Sequence, residues 1–386
     1  SILMNVGDTT HGGVEALFSA GNSIVGPVNA LGIDVGVAGN WDFYYTPAVT
    51  RARYGRFDTT LGGLTYVNIP GMDSMAPVKQ LNYPNLGANV RDITDFMSFL
   101  PGVEEFMPAT HMMTVNRIKV GFVGLTSDIV EDMHPMLAEG MDFSQGEAEH
   151  HALVTEHARA LRDQGAQVVV VMSELGIHKD KRLADTIEAG LVDVFFSGHT
   201  HETTFTPVES DSGALVVEAG NDGYVGRMDL TLDVRRGRVR SIQADWQLIT
   251  VDDSVAEDAD MRALVDAERA QYLGNNVFIE APPFVMQTLT ESIDTVIGSA
   301  QGLMDRKDAL ESSFNNGWTN LLLAQTGTQI AMTPGFRMGA SIAPVGAIYE
   351  DGAVADGEIT IEDAYRFFPM AYSIATAQVS GERLRQ

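Results

Sequence analysis

Val192-Asp193-Val194-Phe195-Phe196-Ser197-Gly198-His199-Thr200-His201 runs a buried strand directly into two imidazoles. A short apolar run ended by glycine reads as a strand of a covered sheet. Two histidines at i and i+2 beyond such a strand have few packing reasons to be there. Three other runs end in the same manner. Ile2–Val6 is followed by Gly7-Asp8, Ile33–Ala38 by Gly39-Asn40-Trp41-Asp42, and Val168–Met172 by Ser173-Glu174-Leu175-Gly176. In open α/β sheets, sites lie beyond the carboxyl ends of the strands. Asp, Asn, Glu and two His at four such ends form a sulfur-free set that suits Mn²⁺, Fe²⁺ or Zn²⁺. Two ions, an in-line displacement and a bridging hydroxide nucleophile follow from that set.

Outward from these ends, further runs at Ile118–Leu125 and Leu215–Val217 alternate with amphipathic helices. Glu147–Asp163 places Ala152, Leu153, His157 and Leu161 near one face, and a second helix is expected at Asp180–Glu188. This is the pattern of a layered α/β domain. Alternation from Tyr224 to Ile249, broken at Arg235-Arg236-Gly237, reads as a hairpin. We therefore expect a first domain over 1–251 and a linker helix over 252–283, ended by Pro282-Pro283. An α+β domain is expected over 284–386, with helices around Ser292–Leu303 and Ser313–Thr326. Strand and turn signals follow at Thr328–Met332, Ser341–Ile348 and Thr376–Val379. The chain stops soon after the last of these, so the second domain is expected to be partial.

Composition narrows the function classes. With 386 residues and 45% hydrophobic content the chain can bury sizeable cores, which excludes intrinsic disorder. Acids outnumber bases 52 to 25, a net charge of −27, which disfavours nucleic acid polymers and anionic membranes as partners. The absence of cysteine excludes disulfides, thiol nucleophiles and thiolate metal sites, and suits an oxidising compartment. No stretch approaches the ~18 apolar residues of a membrane span. The first residues have none of the marks of a signal peptide.

Gly7-Asp8, Gly39-Asn40-Trp41-Asp42, Leu86-Gly87-Ala88-Asn89-Val90 and Gly198-His199-Thr200-His201 resemble the calcineurin-like metallophosphoesterase domain of the 5′-nucleotidase family. Leu303–Arg306, Phe314–Leu323 and Ile330–Arg337 are similar to the start of that family's substrate-binding C-terminal domain. Within the family, Thr333-Pro334-Gly335-Phe336-Arg337-Met338-Gly339 and the Trp at position 41 resemble the SoxB thiosulfohydrolase branch. The resemblance implies a two-metal site, with Mn first and Zn or Fe as alternatives. Asp8 bridges the ions; Asn40, Glu174 and His199 complete one, and His201 serves the other. The implied catalytic set is Asp8, Asn40, Trp41 and Arg337. Arg337 receives the anionic end of the substrate, for which a guanidinium fork is suited, and Phe336 is a substrate-binding residue beside it. Phe367, Phe368 and Tyr372 lie where nucleotidases place base-stacking rings, with core packing as the other reading. The implied reaction releases sulfate from a cysteine-S-thiosulfonate on a SoxYZ-type carrier protein in the periplasm. The cleft between the domains would then need to admit a chain.

Three departures qualify the match. The family's Asp-x-His strand, which supplies two ligands to the first metal, is expected ahead of the Gly-Asp strand where this chain begins. Glu174 stands where the family has His, and Asn40 follows the nucleotidases where SoxB has His. Trp41 can also be weighed by chemistry. Expelling an alkoxide benefits from a positioned His. A thiolate leaves more readily, since a free cysteine has a pKa of about 8.5. Losing the His is therefore tolerable for thiosulfonate hydrolysis and costly for a phosphatase. The alternatives are a 5′-nucleotidase-type phosphoesterase and a metal-deficient, non-enzymatic relative in which Trp41 is a packed aromatic. His11, His111, His134, His150, His151 and His157 receive no role, and His150-His151 reads as solvated.

Overall fold

A computed structural model describes residues 1–55, 78–93, 106–220, 223–235, 238–282, 285–306, 311–333, 341–349, 353–370 and 373–385. The chain divides into two compact units. One comprises Ser1–His11 and Gly21–Asp266, the other Gly12–Ala20 and Ala267–Gln386.

The first unit is built on two sheets. Met4–Val6, Val35–Val37 and Asn85–Leu86 form a parallel three-stranded sheet in that order. The other sheet has six strands, in the order Val208–Glu209, Leu215–Glu218, Val194–Ser197, Val168–Ser173, Ile118–Leu125 and Thr110–Val115. Its four inner strands are parallel and its two edges antiparallel. Val168–Ser173 is buried at every position, as befits an inner strand covered on both faces. Val168, Val170 and Met172 share a core with Val35, Val37 and Leu86 of the smaller sheet. Val169 and Val171 belong to a second core with Val154, Ala158 and Leu161 of the helix Glu147–Asp163 and Leu183 of the helix Ile177–Thr186. Helices and two sheets thus form three layers, the layered α/β fold that the alternation of runs predicts. Gly124 permits the close approach of the sheets, because a Cβ there would overlap Leu86. Tyr224–Arg235 pairs antiparallel with Arg238–Thr250, the two strands of the expected hairpin.

Two local expectations change. Helix Glu147–Asp163 buries His150, Val154, Ala158 and Leu161, so its apolar face is rotated from the one read from the sequence. His150 is therefore not solvated: it is buried, and its Nε2 lies 2.9 Å from the Ser144 carbonyl oxygen. Reading Ala152 and Leu153 as the core stripe missed that an imidazole with a backbone partner packs as well as an aliphatic.

The helix Ala259–Arg269 spans the division of the chain at Asp266, and the turn Ala270–Tyr272 and the strand Ile279–Glu280 follow in the second unit. Ser313–Thr326 is helical as expected, capped by the Ser312 hydroxyl and closed by Gly327 at φ 65°. Ser292–Leu303 is not a helix. Val296–Ser299 is a strand paired with Glu358–Thr360, because the β-branched Val296-Ile297 finds a ladder partner that a local reading cannot see. Thr328–Met332 and Thr376–Val379 form no strand, and of Ser341–Ile348 only Ile342 and Ile348 make isolated bridges. The core here is a ring stack: Phe314 lies on Phe367 at 3.8 Å and 7°. The Arg306 guanidinium covers Phe314 at 4.4 Å.

Candidate metal centre

The loops after Met4–Val6, Val35–Val37, Val168–Ser173 and Val194–Ser197 bring Asp8, Asn40, Glu174 and His199 together. Donor atoms of Asp8, Glu174 and His199 all lie within 4.8 Å of one another. Asn40 Oδ1 is 3.0 Å from His199 Nδ1, and Glu174 Oε2 is 3.4 Å from the same nitrogen. The Trp41 backbone N–H donates to Asp8 Oδ1 at 2.9 Å. Asp8 (φ 51°), His199 (φ 75°) and His201 (φ 56°) all sit in the left-handed region, costly for residues with a Cβ and concentrated here at one site.

Electrostatics favour a cation. Glu174 is fully buried, and burial, then Asp42 and Glu218, push its carboxyl well above the usual carboxylate range. Asp8 is pushed the same way by burial, then by Glu174 and Asp42. Burial lowers the pKa of His199, keeping the imidazole neutral and able to ligate. Glu174 Oε2 has no hydrogen-bond partner although it is buried. Two repelling carboxylates, a neutral imidazole and an orphaned oxygen fit a divalent ion of the Mn, Fe or Zn type. Asp8, Glu174 and His199 would hold it, with Asn40 alongside. Such an ion supplies Lewis-acid polarisation and lowers the pKa of water.

Solved structures place this fold. The sulfate thiohydrolase SoxB of Thermus thermophilus superposes with a TM-score of 0.68 at 20% identity, over 95% of this chain and 55% of that one. A 5′-nucleotidase precursor from Thermus thermophilus gives 0.64 at 20% identity, over 95% and 64%. The chain has the fold of the SoxB and 5′-nucleotidase metallophosphoesterases. The calcineurin-like phosphoesterase YfkN of Bacillus subtilis gives 0.51 at 17% identity, over 70% and 82%. Among curated proteins, an apyrase of Anopheles gambiae is 25% identical over 224 residues, 51% of this chain and 36% of that protein. No family model matches. The chain thus spans only about half of the SoxB chain and about a third of the apyrase.

On this metallophosphoesterase fold the sequence-derived residues are distributed as follows. Asp8, Asn40, Glu174 and His199 meet. His201 stands two residues on, in the same turn but outside the three converging donors. Trp41 is buried, and it reaches Asp8 through its backbone. Phe368 is half-buried against Trp318 and Phe314, and Phe367 is buried in the same ring cluster. Phe336, Arg337 and Tyr372 lie outside the described residues.

Three buried acids that sequence reasoning left without a role hold the loops. Asp42 accepts from the N–H groups of Thr9, Thr10 and Gly39 and from the hydroxyls of Thr10 and Tyr54. Gly39 is required beside it, since a Cβ would overlap the Asp8 carboxylate. Glu218 accepts from the Thr200 hydroxyl at 2.6 Å and from the N–H groups of Glu202 and His201, fixing the Gly198–His201 turn. Asp180 accepts from Ser173 Oγ at 2.7 Å and Ser197 Oγ at 2.5 Å, tying the ends of two adjacent strands. Only Asp42 carried a signal, its place at the end of the Gly-Asn-Trp-Asp stretch.

Asp180 yields a pH prediction. Burial raises its pKa from 3.8 to about 6, although Ser197 and Ser173 oppose the shift. The folded state then binds the proton more tightly than the unfolded state. The associated stability is full below pH ~4 and is lost as pH rises through about 6, in all about 3 kcal/mol. In Asp180→Asn, urea unfolding measured from pH 4 to 7 should show that decline reduced by this order. An undiminished decline would assign it to other groups.

Proposed function

We propose that the protein is a metal-dependent hydrolase that cleaves a thiosulfonate, R–S–SO₃⁻, presented on a cysteine of a SoxYZ-type carrier in the periplasm. The convergence of Asp8, Glu174 and His199 around an orphaned carboxylate oxygen carries the hydrolase reading. Support for the sulfur substrate comes from position 41. Its indole is a buried ring that offers no proton for a leaving group, and a thiolate needs little help to depart. The resemblance of the Thr333–Gly339 stretch to SoxB points the same way. The proposal includes a second ion at His201 and anion capture by Arg337.

A second reading, a nucleotide phosphoesterase, is favoured by Asn40 beside His199 and by the similarity to an apyrase. The full chain, stripped of metal and reloaded with Mn²⁺, should release sulfate from a peptide bearing cysteine-S-thiosulfonate. Phosphate release from AMP without any sulfate release would select the second reading. Inactivity on both, with less than about one equivalent of Mn²⁺ bound, would make the protein a binding relative of these enzymes.

A further inference from the structure

Asn40 stands beside the three converging donors, and its side chain has two unlike ends. One is a carbonyl oxygen that can bind a cation, the other an NH₂ group that repels one. The ends are nearly equal in size, so packing alone does not choose between them. The backbone around Asn40 is fixed residue by residue. Gly39 gives its N–H to Asp42 at 2.9 Å, the Asn40 N–H bonds the Glu174 carboxylate, and the Trp41 N–H bonds Asp8. Rotation of the terminal amide about χ2 is the freedom that matters. Asn40 Oδ1 lies 3.0 Å from His199 Nδ1, while Nδ2 donates to the Met133 sulfur at 3.4 Å. His199 does not make the choice. An Nδ1 without a proton, as a ligand needs, accepts from NH₂ and would draw the wrong end inward. A thioether has no proton to give and only accepts. Flipping the amide would therefore leave the buried NH₂ without this acceptor and set two acceptors, oxygen and sulfur, against each other. Met133 is itself held. It ends the short helix Val130–Met133, and its N–H bonds the Ile129 carbonyl at 3.1 Å. Val130 is fully buried in one core with Ala38 and Phe43, which stand on either side of Asn40 in the chain.

We propose that Met133 is a positioning residue of the metal centre, whose thioether takes the NH₂ of Asn40 and so turns the Asn40 oxygen toward the ion. The role rests on the metal-dependent reading above. It makes Asn40 a preset fourth donor beside Asp8, Glu174 and His199. The cost of an unset amide falls on binding: the ion would have to turn the side chain itself, against a buried NH₂ with no acceptor.

Met133→Leu, a swap of nearly equal volume, removes the acceptor and little else. The Kd for Mn²⁺, from calorimetric titration of the metal-stripped full chain, should rise about 10-fold, the low end for loss of a supporting partner. The melting temperature in chelator should move by no more than about 3 °C. Repeating the substitution in an Asn40→Asp background separates orientation from packing. A carboxylate has an oxygen at either end and needs no turning, so there Met133→Leu should change Kd by under ~2-fold. A similar loss in both backgrounds would make Met133 a packing residue. No loss with Asn40 in place would show that the amide is set without it. Either result overturns the assignment, while Mn²⁺ binding by the wild type keeps the metal centre. A wild type that binds no Mn²⁺ overturns the metal centre and the assignment with it.

Discussion

Glu174→Gln is expected to stabilise the metal-free protein and to abolish its stabilisation by Mn²⁺. The two signs follow from one cause. Without an ion, a carboxyl that burial, Asp42 and Glu218 all push upward must either stay protonated or carry an ill-solvated charge. An amide of the same shape removes that cost, about 1–2 kcal/mol at pH 8, worth a few degrees of melting temperature. With an ion the balance reverses, because the carboxylate is one of only three converging donors among the described residues. Loss of a supporting partner alone costs 10–100-fold in metal affinity, so loss of a ligand should cost at least about 100-fold. The wild type should gain about 2.7 kcal/mol at an Mn²⁺ concentration 100 times its Kd, and the variant almost nothing. Thermal unfolding with and without Mn²⁺ reads both effects. A variant less stable than wild type in chelator, or one that keeps the Mn²⁺ shift, would remove Glu174 from the centre.

Asp42→Ala should have the largest effect on the fold itself. Its carboxylate is fully buried and satisfies five donors drawn from the Asp8 loop, the Asn40 loop and Tyr54. Each donor left buried without a partner costs about 1–3 kcal/mol, and some will recover a water in the space vacated. The net loss should be about 4 kcal/mol, at the upper end for a single substitution. Asp42→Asn keeps one acceptor oxygen and should lose about half as much. Mn²⁺ binding should also weaken in both, since Asp8 and Asn40 stand on the loops that Asp42 ties. Urea midpoints and metal content are the measurements. An Asp42→Ala midpoint within experimental error of wild type would show that the loops are held elsewhere.

These two residues mark what could be read from one chain and what could not. Glu174 was legible because a β-rich apolar run ends in a polar residue, and the chemistry of such ends is local. The same holds for Asp8, Asn40 and His199, whose convergence follows once the runs are placed side by side in a sheet. Asp180 and Glu218 were not legible. Each works on a loop 7 to 18 residues away, and nothing at its own position distinguishes it from a surface acid. Met133 was passed over for the same reason, since its partner Asn40 is 93 positions away. In the second unit, Val296–Ser299 depends on a partner strand near residue 359, so an amphipathic reading of the local stretch misassigned it.

The segment Gly12–Ala20 belongs to the second compact unit, although residues of the first precede and follow it. Within that unit Tyr272 donates to the Glu15 carbonyl at 3.2 Å, Arg269 pairs with Glu15, and Phe18 packs edge-on to Tyr365. On the ribosome, therefore, this stretch must wait for partners synthesised some 250 to 350 positions later. Until then the loop bearing Asp8 runs into a chain with nowhere to dock. A fragment cut at Asp266 would carry that same unfinished end, with Phe18 stripped of Tyr365 and Glu15 of Tyr272 and Arg269.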